Sequence, residues 1–294
     1  MKSEKSCRDC MYNKNIDKIP SDASEEKRTR FIAELEDLMG RYLGEMPAPW
    51  MSWKVDELYR NYFGIYRDYG PIKAKYNRYM LSVEDVILRE IKAAEDKLKR
   101  AIQYVCAGNY IDFGALGEVK DSLLSELLSK AEGFAIDGEE LICFKEDLSK
   151  ARRLVYLTDN CGEIVLDKLL ISLLLEMYPK LDICVIVRGG DAINDATMED
   201  AQEVGLAKLV TCIGNGKPIP GTVIEELSEE AKTKLDGADV IIAKGQGNFE
   251  SMCREGYNPY YLFLCKCDLF TNRFGVERFT SVFCKEERLG RILA

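Results

Sequence analysis

The spacing of apolar positions changes near Arg152. Before it, Phe31, Ile32, Leu35, Leu38, Met39 and Tyr42 recur at helical intervals, as do Ile87, Ile91, Ala94, Leu98, Ala101, Ile102 and Val105. Ser82 with Asp85 resembles a capping pair and predicts the start of that second helix. The stretch from Trp50 to Tyr79 is rich in tyrosine, and its aromatic stripe predicts packing between helices. After Arg152, short β-prone runs appear: RLVYL, DICVIVR, LAKLVTCI, ADVIIAK, YYLFLC and FTSVFCK. Helical runs such as DKLLISLLLEMY, ATMEDAQEV and TVIEELSEEAKTKL separate them. This alternation predicts an α/β fold with a mainly parallel sheet covered on both faces. The change falls within KEDLSKARR, so a helical domain is expected over 1–150 and an α/β domain over 151–294.

Parallel sheets bind ligands beyond the carboxyl ends of their strands. Three polar clusters occupy those positions. Thr158-Asp159-Asn160-Cys161-Gly162-Glu163 follows LVYL, Asn194-Asp195-Ala196-Thr197 comes shortly after CVIVR, and Lys244-Gly245-Gln246-Gly247-Asn248 leaves DVIIA. Asp159, Asn160 and Asp195 offer hard oxygen atoms suited to a divalent ion. Helix capping is the competing use of both aspartates. Lys244, two glycines and a helix expected to start at Asn248 form a candidate phosphate cradle, for which a tight strand-to-helix turn is the plainer reading. Neither a Walker loop nor a dinucleotide fingerprint is present, so no nucleotide cofactor is expected. Glu163, on the helix after the first cluster, can orient ligands or water from behind.

Composition narrows the chemistry. Lysine and arginine number 41 against 50 acids, a net charge of −9, so there is no basic footprint for nucleic acid. An anionic ligand therefore needs a local positive site. No apolar run approaches a membrane span and MKSEKSCRDC is not a signal peptide, so a cytoplasmic location is the expectation. The chain contains no histidine, which removes histidine bases and histidine metal ligands. Eleven cysteines are an odd count, so they cannot all pair within the chain. Cys143, Cys184 and Cys212 lie in apolar runs and are expected in the core. Cys7, Cys10, Cys265 and Cys267 have the spacing of a metal or redox cluster, or are simply reduced thiols.

Together TDNCGE (158–163), INDATMEDA (193–201) and KGQGNFE (244–250) resemble the motifs of the metal-dependent damage-control phosphatases, the domain of unknown function numbered eighty-nine. AGNYIDFG (107–114) also resembles that family. CRDC (7–10) and Lys266-Cys267 are similar to its archaeal and bacterial branch. The resemblance implies a helical N-terminal domain packed on a three-layer α/β/α domain. It implies a divalent metal (manganese, cobalt, nickel or magnesium) on Asp159, Asn160 and Asp195, and a substrate phosphate on Lys244 and the 245–248 loop. Asn109 and Asp112 would face the cleft, and Asp159, Asp195 and Glu163 would carry the catalysis. The implied reaction is hydrolysis of phosphate monoesters by a metal-activated water, with a small phosphorylated metabolite as partner and neither nucleic acid nor membrane. The oligomeric state stays open.

Two other readings compete. Because the family includes a member described as methylating protein carboxylates, an S-adenosylmethionine-dependent carboxyl methyltransferase is one. The single glycine in TDNCGE counts against it. A non-enzymatic metal or thiol sensor built on the cysteines is the other.

Overall fold

The computed structural model describes residues 1–64 and 68–291. Among these, eight α-helices precede the first strand: α1 (Lys5–Ile16), α2 (Glu25–Tyr42), α3 (Ala48–Phe63), α4 (Gly70–Ala93), α5 (Lys97–Gly108), the short α6 (Phe113–Leu116), α7 (Asp121–Ser129) and α8 (Gly138–Lys150). The Ser24 hydroxyl caps α2 by accepting from Lys27 N–H, and Phe31, Leu35 and Met39 form its buried stripe. That stripe meets Trp50, Trp53 and Tyr59 of α3, which are core, while Tyr62, Tyr69 and Tyr79 of the same stretch are half-buried. Tyr66 of that stretch lies outside the described residues.

Two helix boundaries differ from the sequence reading. The apolar positions from Ile87 to Val105 belong to two helices, because α4 ends at Ala93 and Asp96 caps α5 by accepting from Lys99 N–H. Ser82 starts nothing: it lies inside α4, and its hydroxyl donates back to the Tyr79 carbonyl. Local spacing favoured a cap there, but the buried face of α4, with Tyr76, Met80, Ile87 and Ile91, runs through it.

The rest of the chain runs β1 (Arg153–Leu157), α9 (Glu163–Met177), β2 (Asp182–Val187), α10 (Met198–Glu203), β3 (Thr211–Gly214), α11 (Glu229–Asp236), β4 (Val240–Lys244), α12 (Gly245–Met252), β5 (Tyr260–Leu264), α13 (Asp268–Phe274) and β6 (Ser281–Lys285). The strands form one sheet in the order β3-β2-β1-β4-β5-β6, with only β6 antiparallel to its neighbour. Each of the six predicted runs contains a strand. One face of the sheet shares a core with α4, α5 and α9, and the other with α11, α12 and α13. Nearly the whole length of α9 is buried because the sheet covers one side and α4 and α5 the other. That position accounts for the unbroken apolar run LLISLLL. Cys184 is buried as expected, whereas Cys143, midway along α8, and Cys212, on the edge strand β3, are only half-buried. Among the described residues no helix is long and apolar enough to cross a membrane.

Phe249 of α12 anchors the second face. It is fully buried, with ring centroids 4.8 Å from Tyr261, 5.4 Å from Phe263 and 5.5 Å from Phe270. Phe249→Ala is expected to lower unfolding free energy by about 3–5 kcal/mol in urea titrations, and a loss below about 1 kcal/mol would contradict this packing role.

Candidate metal and phosphate site

The backbone after β1 meets the loop after β2. Asn160 and Asp195 form an isolated antiparallel bridge, Cys161 N–H donates to the Asn194 carbonyl at 2.8 Å, and Ala196 N–H donates to the Asp159 carbonyl at 2.8 Å. The second loop is knit tightly enough to hold Ile193 at a φ of 52°, a conformation costly for a β-branched residue. Neither aspartate caps a helix. Gly162 precedes α9, and Thr197 caps α10 in a capping box with Asp200. Capping is therefore removed as the explanation for Asp159 and Asp195.

Asp159, Asn160 and Asp195 lie together and almost dry: both aspartates are 5 % exposed. The Asn160 amide donates to Asp159 Oδ2 at 2.7 Å, and its Oδ1 accepts from Asn194 Nδ2 at 3.1 Å. Arg188, at the end of β2, donates from Nε to Asp195 Oδ2 at 2.6 Å and brings Nη2 to 3.6 Å from Asp159 Oδ1. Burial, reinforced by the charges of Asp195 and Glu163, pushes the Asp159 carboxyl well above its usual range. Burial raises Asp195 to about 6, although Arg188 opposes the rise.

Acids and cations continue beneath this pair. Glu163 is fully buried and accepts from Asn109 Nδ2 and Asn160 Nδ2. Lys244 turns inward, with no exposed surface, to pair with Glu163 and, at 3.0 Å, with Asp167. Burial alone would depress the Lys244 ammonium, but Asp167 and Glu163 outweigh it and hold it protonated. Lys244 thus does not point outward as a bare phosphate ligand, because two acids on α9 claim its charge. Asn109 bridges the halves of the chain, donating to Asp159 Oδ2 at 2.9 Å and accepting from Leu264 N–H at 3.0 Å. Burial works against an ionised Asp112, yet Lys266 at 2.6 Å holds its carboxyl below the usual range.

The opening turn of α12 sits directly over Asp159. Gly245 has a φ of 79°, and a Cβ there would fall 2.0 Å from Asp159 Oδ2, so only glycine allows this approach. The helix begins at Gly245 rather than at Asn248. Asn248 is committed within the protein: its amide donates to the Thr158 and Lys244 carbonyls, and its Oδ1 accepts from Arg188 and Thr222. Gln246 accepts from Lys266 N–H and donates to Cys267 Sγ at 3.4 Å. These two side chains hold the loop.

The four spaced thiols do not form a cage. Cys265 points into the core, Cys10 is exposed, and Cys7 and Cys267 are half-buried. Cys265 and Cys267 both pack on the second core, with Cys265 buried within it and Cys267 half-buried against it. Among the described residues no three cysteines, aspartates or glutamates form a ready metal cage. The site at Asp159 and Asp195 has two carboxylates and an amide. Arg188 and Lys266 were missed as charged groups of the rim. Each follows an apolar strand run, and a charge at a buried strand end was the available signal. A shallow cavity of about 430 Å³ beside Leu181, Ile183 and Leu209 lies at the opposite strand ends and gathers no comparable chemistry.

The buried acids carry a pH signature. Burial raises Asp167 from 3.8 to about 6, against the pull of Lys244. The folded chain therefore binds this proton more tightly than the unfolded chain. The stabilisation from Asp167 is complete below 3.8 and is lost as pH rises through about 6. In chelator, wild type should lose on the order of 1–3 kcal/mol relative to Asp167→Asn over that interval. Parallel pH dependences of the two proteins in urea titrations would contradict the burial account.

Comparison with known proteins identifies the family. A model of the damage-control phosphatase ARMT1-like domain matches residues 3–282. A damage-control phosphatase of Archaeoglobus fulgidus is 33 % identical over 72 % of this chain and 74 % of its own. One of Pyrococcus horikoshii is 30 % identical over 91 % and 92 %. The crystal structure of a DUF89 family protein from Pyrococcus horikoshii is similar with a TM-score of 0.80 at 26 % identity, covering 97 % of this chain and 99 % of that one. The chain belongs to the damage-control phosphatase ARMT1-like (DUF89) family.

Proposed function

We propose that the rim hydrolyses phosphate monoesters of small phosphorylated metabolites with the help of a divalent ion. The observation that carries this reading is the bridge between Asn160 and Asp195, which gathers Asp159, Asn160 and Asp195 beside Gly245. The donor set fits the ion. Two carboxylates and an amide oxygen suit manganese, cobalt, nickel or magnesium, and a cation would offset the burial and the acid–acid repulsion that together raise Asp159. When bound there, the ion supplies Lewis acidity and a lowered pKa for water.

The chain's own residues would do the rest. Asp159, Asn160 and Asp195 hold the ion, while Glu163 and Asn109 orient Asp159 and Asn160 through the bonds described above. Gly245 brings the first turn of α12 against the ligands, where its leading backbone N–H groups and the N-terminal end of the helix dipole favour a phosphate. Gln246, Gly247 and Asn248 fix the shape of that loop. Lys244 supports it through buried charge rather than outward reach. The methyltransferase and sensor readings gain nothing: the turn after β1 is acidic, and among the described residues no three cysteines form a metal cage.

Phosphate release is the test. Chelator-stripped protein would be assayed on a panel of phosphometabolites with Mn²⁺, Co²⁺, Ni²⁺ or Mg²⁺ returned. Restored release is expected in wild type, and Asp195→Ala should lose at least about 100-fold in kcat/KM. Release that ignores chelation, or an Asp195→Ala variant as active as wild type, would overturn the ligand assignment.

A further inference from the structure

Arg188 touches all three rim clusters and has no role in the reading above. Its side chain is 1 % exposed. Nε donates to Asp195, Nη1 donates to Asn248 Oδ1 at 3.1 Å, and Nη2 has no hydrogen-bond partner among the described residues while facing Asp159 Oδ1 at 3.6 Å. A buried guanidinium N–H without a partner is unusual and calls for an explanation. The neighbouring cations are otherwise engaged: Lys244 by Glu163 and Asp167, and Lys266 by Asp112. Among the described residues Arg188 is the cation within 4 Å of both aspartates.

A positive charge beside a cation site works against the metal. It makes sense where the site must also take an anion. The two aspartates cancel a divalent ion and Asp112 cancels Lys266, while Glu163 and Asp167 exceed Lys244 by one negative charge; Arg188 offsets that excess in surroundings of low dielectric, and without it the loaded centre would repel an anion. We infer that Arg188 sets the charge of the loaded centre, so that a phosphate dianion binds beside the metal. This rests on the metal-dependent reading of the site. Arg188 acts through its charge and its hold on Asp195 and Asn248, without having to touch the substrate.

The test uses the full chain, titrated first with Mn²⁺ alone and then with inorganic phosphate at saturating Mn²⁺. Arg188→Gln removes the charge and keeps hydrogen-bonding capacity, whereas Arg188→Lys keeps the charge. The Gln variant is expected to bind Mn²⁺ as tightly as wild type or tighter, and phosphate at least about tenfold more weakly. The Lys variant should stay within about threefold of wild type for phosphate. A merely structural role would weaken Mn²⁺ binding in both variants. That result, or unchanged phosphate affinity in the Gln variant, overturns the inference. If the Gln variant does not fold, the Lys variant decides: near-wild-type phosphate affinity supports the inference, and a tenfold loss sinks it. Wild type that binds no Mn²⁺ overturns the metal reading and this inference with it. Wild type that binds Mn²⁺ while the Gln variant matches it for phosphate overturns this inference alone.

Discussion

Ionised groups are costly to take out of water unless opposite charges and hydrogen bonds meet them there. This chain draws Asp159, Glu163, Asp167 and Asp195 into a region that water barely reaches, and sets Lys244, Lys266 and Arg188 among them. The partners come from far apart in sequence. The loops after β1 and β2 and the helix α9 supply acids, Arg188 follows β2, β4 ends in Lys244, and the segment after β5 contributes Lys266. Breaking any one pair would strand a buried charge, so the network ties the ends of four strands into one arrangement.

The helical half is part of that arrangement. Asn109 lies just beyond α5, yet it bonds to Asp159 and to β5, and its carbonyl accepts from Lys266. Lys73 of α4 pairs with Asp200 at 2.7 Å, and Asn77 accepts from Gly162 N–H, so α4 steadies both loops that carry the aspartates. The core under the site runs from these helices through α9 to the sheet without interruption. The change from helical to alternating sequence at residue 150 is therefore a change of local structure over a shared core.

Much of this was legible. The six strands, the helices between them and the three polar clusters follow from short-range patterning, since a strand buried on both faces must be apolar and must end in polar residues. Side-chain direction was less legible. Lys244 reads as an outward phosphate ligand until Glu163 and Asp167, one turn apart on a packed helix, are seen to claim it. Arg188 reads as the last residue of a strand, and its three partners lie on three other segments. Asn248 looks like a helix start, but the positive φ of Gly245 lets the helix begin earlier and leaves Asn248 free to brace Thr158 and Arg188. The spacing of Cys7, Cys10, Cys265 and Cys267 does not encode burial, and the structure leaves Cys10 exposed while Cys265 is buried.

The place of the metal decides most. Crystals soaked in Mn²⁺ and measured for anomalous scattering would locate it without reference to any substrate. A peak bound by Asp159, Asn160 and Asp195 under the first turn of α12 is the expected result. A peak beside Cys7 and Cys267, or none at the rim, would contradict the metal assignment and return the buried aspartates to a purely structural role.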